Sequence, residues 1–146
     1  MTVQRMDNVG IVLEDLDAAI TFFAELGLEL EGRMAISEPW AAKIVGLDSQ
    51  ELDVATMRTP DGHSKLELMS FRSPQAIRTE PHPAPPNALG IRRLMFAVDD
   101  IDEVIARLSA LGAELMGEVG QFENLFRLCY LRGPEGIMVA LAERIG

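Results

Sequence analysis

Three positions in this chain carry side chains that could do more than pack: Asn8, Glu67 and Arg93. Glu67 stands in KLELMSF, where two-residue alternation sets Leu66 and Leu68 on one face and Lys65, Glu67 and Met69 on the other. A carboxylate on such a face can serve as a general base or as a counter-ion. Arg93 shares its face with Met95 and Ala97, opposite Leu94, Phe96 and Val98. It brings a permanent positive charge and five N–H donors. The other reactive residue types have structural readings. Cys129 lies mid-strand between Leu128 and Tyr130, with no histidine nearby in sequence, and reads as a packed thiol. His63 adjoins a turn and His82 sits among prolines, so both read as solvated loop residues. The pairs Glu14-Asp15 and Asp99-Asp100 fall where helices should start and serve as caps. No G-x-S-x-G, phosphate loop or C-x-x-C motif is present.

A duplicated stretch positions these residues. Residues 10–32 read GIVLEDLDAAITFFAELGLELEG, and residues 95–117 read MFAVDDIDEVIARLSALGAELMG. A constant offset of 85 maps Asp15 to Asp100, Ile20 to Ile105, Gly27 to Gly112 and Asn8 to Arg93. In the first copy a strand near 6–13 precedes a helix carrying Leu16, Ala19, Ile20, Phe23 and Leu26, which Gly27 ends. Strands are expected at 28–33, 51–58 and 65–71, with one or two helical turns after Pro39. The second copy repeats the order: a strand at 92–98, a helix carrying Ile101, Val104, Ile105, Leu108 and Leu111, and strands at 114–119, 127–132 and 137–141. Thr59-Pro60-Asp61-Gly62 is echoed by Gly133-Pro134-Glu135-Gly136. Residues 73–89 hold five of the eight prolines and read as an extended linker. The expected class is α+β: tandem β-α-β-β-β modules at 1–72 and 90–146, closing into a cup-shaped, partly open mixed β-barrel with helices outside.

Composition narrows the partners. A formal net charge of −10 repels a phosphate backbone, so nucleic acid is not an expected partner. No apolar stretch is long enough to span a membrane, and MTVQRMDN has no apolar signal core. One cysteine cannot form an internal disulfide, and a cytoplasmic protein is expected.

Two β-α-β-β-β modules, each with a strand running into V-x-D-L/I-D and a helix ending in L-G, resemble the vicinal oxygen chelate superfamily. That group includes glyoxalase I, extradiol dioxygenases, and fosfomycin- and bleomycin-resistance proteins. The resemblance spans about Arg5 to Glu143. It implies four metal-ligand positions on the cavity side of four strands, and here they carry Asn8, Glu67, Arg93 and Ala140. Arginine opposes a cation and alanine has no donor, so only Glu67 is a competent ligand. The resemblance therefore implies a member without metal or other cofactor. Two readings of Arg93 follow: it replaces the cation, with Glu67 as counter-ion and Asn8 as neutral neighbour, or it forms a structural ion pair with Glu67 that fills a relict site.

The function expected on this basis is binding of a small molecule, partly aromatic and bearing a polar or anionic group, in the manner of antibiotic-sequestering relatives. Ligand-binding candidates are Asn8, Trp40, Glu67, Met69, Arg93, Met95, Phe122, Tyr130 and Met138. Methionine adapts to irregular ligands, and Trp40 lies in an irregular segment where it could act as a lid. Val12, Ala97 and Phe126 belong to the same cavity-facing set. Drug-binding relatives imply a homodimer. The alternatives are a metal-independent lyase or isomerase, with Glu67 as base and Arg93 stabilising an oxyanion, and a metal-dependent lyase or dioxygenase.

Overall fold

Asp15 and Asp100 each convert an extended chain into a helix, and they do it in the same way. In the computed structural model, which describes residues 2–146, the Asp15 carboxylate accepts from the Ala18 N–H at 3.0 Å. The Asp100 carboxylate accepts from the Glu103 N–H at 3.1 Å. The two helices also end alike. Leu28 donates to the Phe23 carbonyl and Gly27 to Ala24, while Ala113 donates to Leu108 and Gly112 to Ser109. This nested pair needs a left-handed residue, supplied by Gly27 (φ +122°) and Gly112 (φ +96°). Every one of these partners is related to its counterpart by the offset of 85.

The chain forms two units, Met1–Ile77 and Arg78–Gly146. The first runs β1 (Val9–Val12), α1 (Leu16–Leu26), β2 (Glu29–Ile36), α2 (Pro39–Ile44), β3 (Glu51–Arg58) and β4 (Lys65–Ser73). Its sheet has the order β1-β4-β3-β2, with β1 parallel to β4 and the other pairs antiparallel. The second runs β5 (Arg93–Val98), α3 (Ile101–Ser109), β6 (Glu114–Leu115), β7 (Gly120–Phe122), β8 (Phe126–Arg132) and β9 (Met138–Arg144). Its sheet has the order β5-β9-β8-β6, with β5 parallel to β9 and β7 also paired to β8. The class is α+β, with one sheet of four strands and one of five.

One helix covers one face of each sheet. In the first unit Leu16, Ala19, Phe22, Phe23 and Leu26 are buried on α1, and Ala55, Met57, Leu66 and Leu68 are buried on the strands. In the second unit Ile101, Val104 and Leu108 take this role on α3, with Cys129, Leu131, Val139 and Leu141 on the sheet. Burying side chains of this size contributes roughly 1.5–3 kcal/mol each.

Three expectations need correction. Ile20 and Phe22 lie on opposite flanks of the α1 stripe, and it is the larger Phe22 that is buried, edge-on to Phe23 at 5.2 Å. Leu111, expected inward, is 46% exposed because α3 stops at Ser109 and no longer carries it round to the sheet. The strand expected over 114–119 splits into β6 and β7, with bends at Met116 and Gly117 between them. Glycine has low strand propensity and no side chain to pack, so Gly117 and Gly120 favour the break.

The second copy is also shorter. The helix starts are 85 residues apart, but the turns at Thr59 and Gly133 are only 74 apart. The missing 11 residues fall between helix and turn, where the first copy carries α2. Both turns close in the same way: Gly62 donates to Thr59 at 2.9 Å and Gly136 to Gly133 at 3.0 Å. Gly62 (φ +77°) and Gly136 (φ +74°) share a left-handed backbone, but their surroundings differ. A Cβ on Gly62 would meet nothing within 4 Å, whereas one on Gly136 would lie 2.5 Å from Pro83 Cβ. Gly62→Ala should therefore lower the unfolding free energy by about 1 kcal/mol, the cost of a left-handed alanine. Gly136→Ala should cost roughly 1–3 kcal/mol more through overpacking. Urea denaturation of the two variants side by side measures the difference, and equal losses would refute the Pro83 contact.

Candidate functional site

The face of each sheet away from its helix carries the side chains that strand alternation set aside for chemistry. In the first sheet Glu67 is directly opposite Thr56 on β3 and paired across β1 to Gly10. Asn8 precedes Gly10 by two residues and shares its face. Asn8, Thr56 and Glu67 line a cavity of about 320 Å³ together with His63, Lys65, Glu31 and the segment Arg5–Asp7. Met69 follows Glu67 along β4 and crosses β1 where Gly10 leaves space; a Cβ at Gly10 would be 2.8 Å from its Cε.

Two ion pairs occupy most of the charge in this cavity wall. Arg5 Nε meets Asp7 Oδ1 at 2.7 Å, and Lys65 Nζ meets Glu31 Oε1 at 2.9 Å. Glu31 lies at the β2 register shift between Leu30 and Gly32, and an extra residue at such a bulge redirects its side chain. In the turn between β3 and β4, the Thr59 hydroxyl holds the Asp61 carboxyl below the usual carboxylate range, helped by the His63 backbone N–H. Glu67 is half-buried, and among the described residues no side chain or backbone group donates to its carboxylate.

The second sheet presents a different surface. Met95 on β5 and Tyr130 on β8 both pair with Ala140 on β9, while Met138 lies between Arg93 and Arg132. The Arg93 guanidinium sits over the Tyr130 ring, 5.7 Å from its centroid. Arg132 is engaged elsewhere, donating to the carbonyls of Ala84 at 2.9 Å and Gly136 at 2.8 Å. Phe122 on β7 stacks on Phe126 at 5.6 Å with the rings 22° apart. Met95, Phe122 and Phe126 are exposed on this face, and Ala97 extends it.

The structure thus sorts the nine residues singled out from sequence. Asn8, Glu67 and Met69 fall together in the first unit; Arg93, Met95, Tyr130 and Phe122 lie on one face of the second. Met138 is on that face by register but is only 6% exposed. Trp40 is 64% exposed on α2, which is anchored through buried Ala41 and Ala42. The sequence reading passed over Thr56, Glu31 and His63 as lining residues. Alternation through residues 51–58 could have found Thr56, since it faces with Glu67, but a bulge at Glu31 leaves no such trace.

Metal-dependent relatives would place a divalent ion at Asn8, Glu67, Arg93 and Ala140. Those residues do not fit one: they supply a single carboxylate. Among the described residues no three His, Cys, Asp or Glu side chains gather as a metal site requires. No helix is long and apolar enough to cross a membrane.

A duplicated α+β chain with a helix on one face of each sheet and functional groups on the other defines a recognisable class. Residues 7–130 match the Glyoxalase/Bleomycin resistance protein/Dioxygenase superfamily, and the chain belongs to it. A glyoxalase family protein from Bacillus cereus is 54% identical, with a TM-score of 0.96 over 100% of this chain and 97% of its own. Two further solved structures share the fold. A lactoylglutathione lyase from Agrobacterium tumefaciens is 24% identical (TM-score 0.57, covering 98% of this chain and 96% of its own). An antibiotic-binding protein from Streptomyces sp. CB03234 is 18% identical (TM-score 0.60, covering 99% and 98%).

Cys129 stands apart from both sets of residues. It is 1% exposed on the helix-covered face, and burial pushes its thiol pKa up. A protonated, enclosed thiol is a poor nucleophile. Alkylation by iodoacetamide at pH 8 should be negligible in the folded protein and complete in guanidinium chloride. Rapid labelling of the native chain, followed by mass spectrometry, would contradict the packing role.

Proposed function

We propose that this chain is a small-molecule-binding protein of its superfamily, sequestering a partly aromatic ligand with a polar or anionic group and using no metal. The observation that carries this reading is Arg93 held over the Tyr130 ring on a face floored by Met95, Ala97 and Ala140. Among the described residues the guanidinium has no carboxylate or carbonyl partner, so its N–H donors remain available to an anionic group. A guanidinium is planar and forked, which favours bidentate recognition of a carboxylate or sulfonate. Phe122 and Phe126 offer ring faces to the aromatic part, and Met95 adapts to its outline.

The antibiotic-binding protein with the same fold supports sequestration as a use of such a scaffold. The reading includes a role in drug resistance and a homodimer; Trp40, Ile44 and Val45 form an exposed apolar group consistent with a subunit contact. It also places the protein in the cytoplasm, consistent with a single cysteine held as a free thiol.

The test is binding of 8-anilinonaphthalene-1-sulfonate, an aromatic anion, by titration calorimetry. Arg93→Met should weaken binding about 10–100-fold, the loss of a charge-assisted hydrogen bond of roughly 1.5–3 kcal/mol. Arg93→Lys should recover only part of it, since an ammonium cannot form the planar fork. Equal affinity of wild type and R93M would defeat the reading. Native mass spectrometry of protein taken from its source decides the rest. An unchanged compound supports sequestration, and a transformed one favours a lyase or isomerase with Glu67 as base.

A further inference from the structure

We propose that the cavity in the first unit is a binding site for a primary ammonium group, held by Glu67, Thr56 and Asn8. The inference is independent of the anion-binding reading, because all three residues belong to the first unit and Arg93 to the second.

The argument starts from charge. Five formally charged side chains line this cavity apart from its imidazole: Arg5, Asp7, Glu31, Lys65 and Glu67. The Arg5–Asp7 and Lys65–Glu31 pairs neutralise four of them. The remaining charge is the Glu67 carboxylate, half-buried and without a donor among the described residues. Removing a carboxylate partly from water without a partner is unfavourable, so a cation placed beside it would be stabilised.

Valence then selects the cation. A primary ammonium has three N–H donors and no acceptor. The cavity offers three acceptors on adjacent positions: the Glu67 carboxylate, the Thr56 hydroxyl opposite it and the Asn8 side-chain carbonyl. None of these is engaged in a hydrogen bond among the described residues. A guanidinium would bring five N–H donors to these three acceptor groups, more than they match. A divalent metal is a poor match for one carboxylate and two neutral oxygens. An anion is excluded because both cavity cations already have carboxylate partners. The volume, about 320 Å³, is at the small end for ligand sites, so it suits a small amine or the amino end of a larger molecule.

The probe is benzylamine, compared with benzyl alcohol, titrated into uniformly ¹⁵N-labelled protein at pH 7.5 and followed by amide chemical shifts. Benzylamine should produce saturable shifts at Val9, Thr56 and Glu67. Benzyl alcohol should bind at least about tenfold more weakly, since it lacks the charge that strengthens the hydrogen bond to the carboxylate. Glu67→Gln should weaken benzylamine binding about 10–100-fold, with amide dispersion showing that the fold is kept. Asn8→Ala, at an exposed position preceding the strand, should cost about 3–10-fold and covers the case in which E67Q does not fold. Equal binding of amine and alcohol, undiminished binding by E67Q or N8A, or the absence of saturable shifts in the wild type would each overturn the assignment.

Discussion

One helix can cover only one face of a sheet, and everything functional in this chain depends on that limit. In each unit the first strand pairs in parallel with the last, β1 with β4 and β5 with β9. The long helix follows the first strand and packs back on one side of the sheet. The apolar rows beneath it are dry: Phe23, Leu68, Ile101, Leu108 and Leu141 are each fully buried. The opposite faces are not the ones these two helices cover. They can therefore carry Glu67, Thr56, Arg93 and Tyr130 without weakening the packing that holds the units together.

The surface ion pairs act mainly through their geometry. Pairs such as Arg5–Asp7 and Lys65–Glu31 are solvent-accessible, and contacts of that kind contribute about 0–1 kcal/mol. Their consequence lies in which donors and acceptors they occupy. With Arg5 and Lys65 engaged, the Glu67 carboxylate has no ion-pair partner among the described residues. With Arg132 donating to the Ala84 and Gly136 carbonyls, Arg93 is the guanidinium of its face that remains open. The two sites thus have opposite character, one a carboxylate among neutral oxygens and the other a guanidinium over an aromatic ring.

Much of this was legible in the sequence, because the strongest signals were local. The offset of 85 carried through from caps to glycine-closed helix ends, and alternation in KLELMSF placed Glu67 opposite Leu66 and Leu68 as observed. The losses came where tertiary context decides. Ile20 and Phe22 are equally placed by periodicity, and packing against Phe23 chose between them. The bulge at Glu31 depends on register with β3, which no single strand encodes.

Arg93 and Ala140 are chemically compatible with one another on their sheet. Ala140 is fully buried on the central strand β9, flanked in register by Met95 and Tyr130. A carboxylate there would be costly without a cation beside it, and a metal would be repelled by a guanidinium on the same face. Alanine removes the buried charge and keeps the floor low between its neighbours. Arg93 lies over Tyr130, where the ring face attracts its positive charge. Each residue makes the other tolerable, while the covered face, with Val139 and Leu141 on the same strand, is untouched. The open face can thus change its chemistry while the helix-covered face preserves the fold.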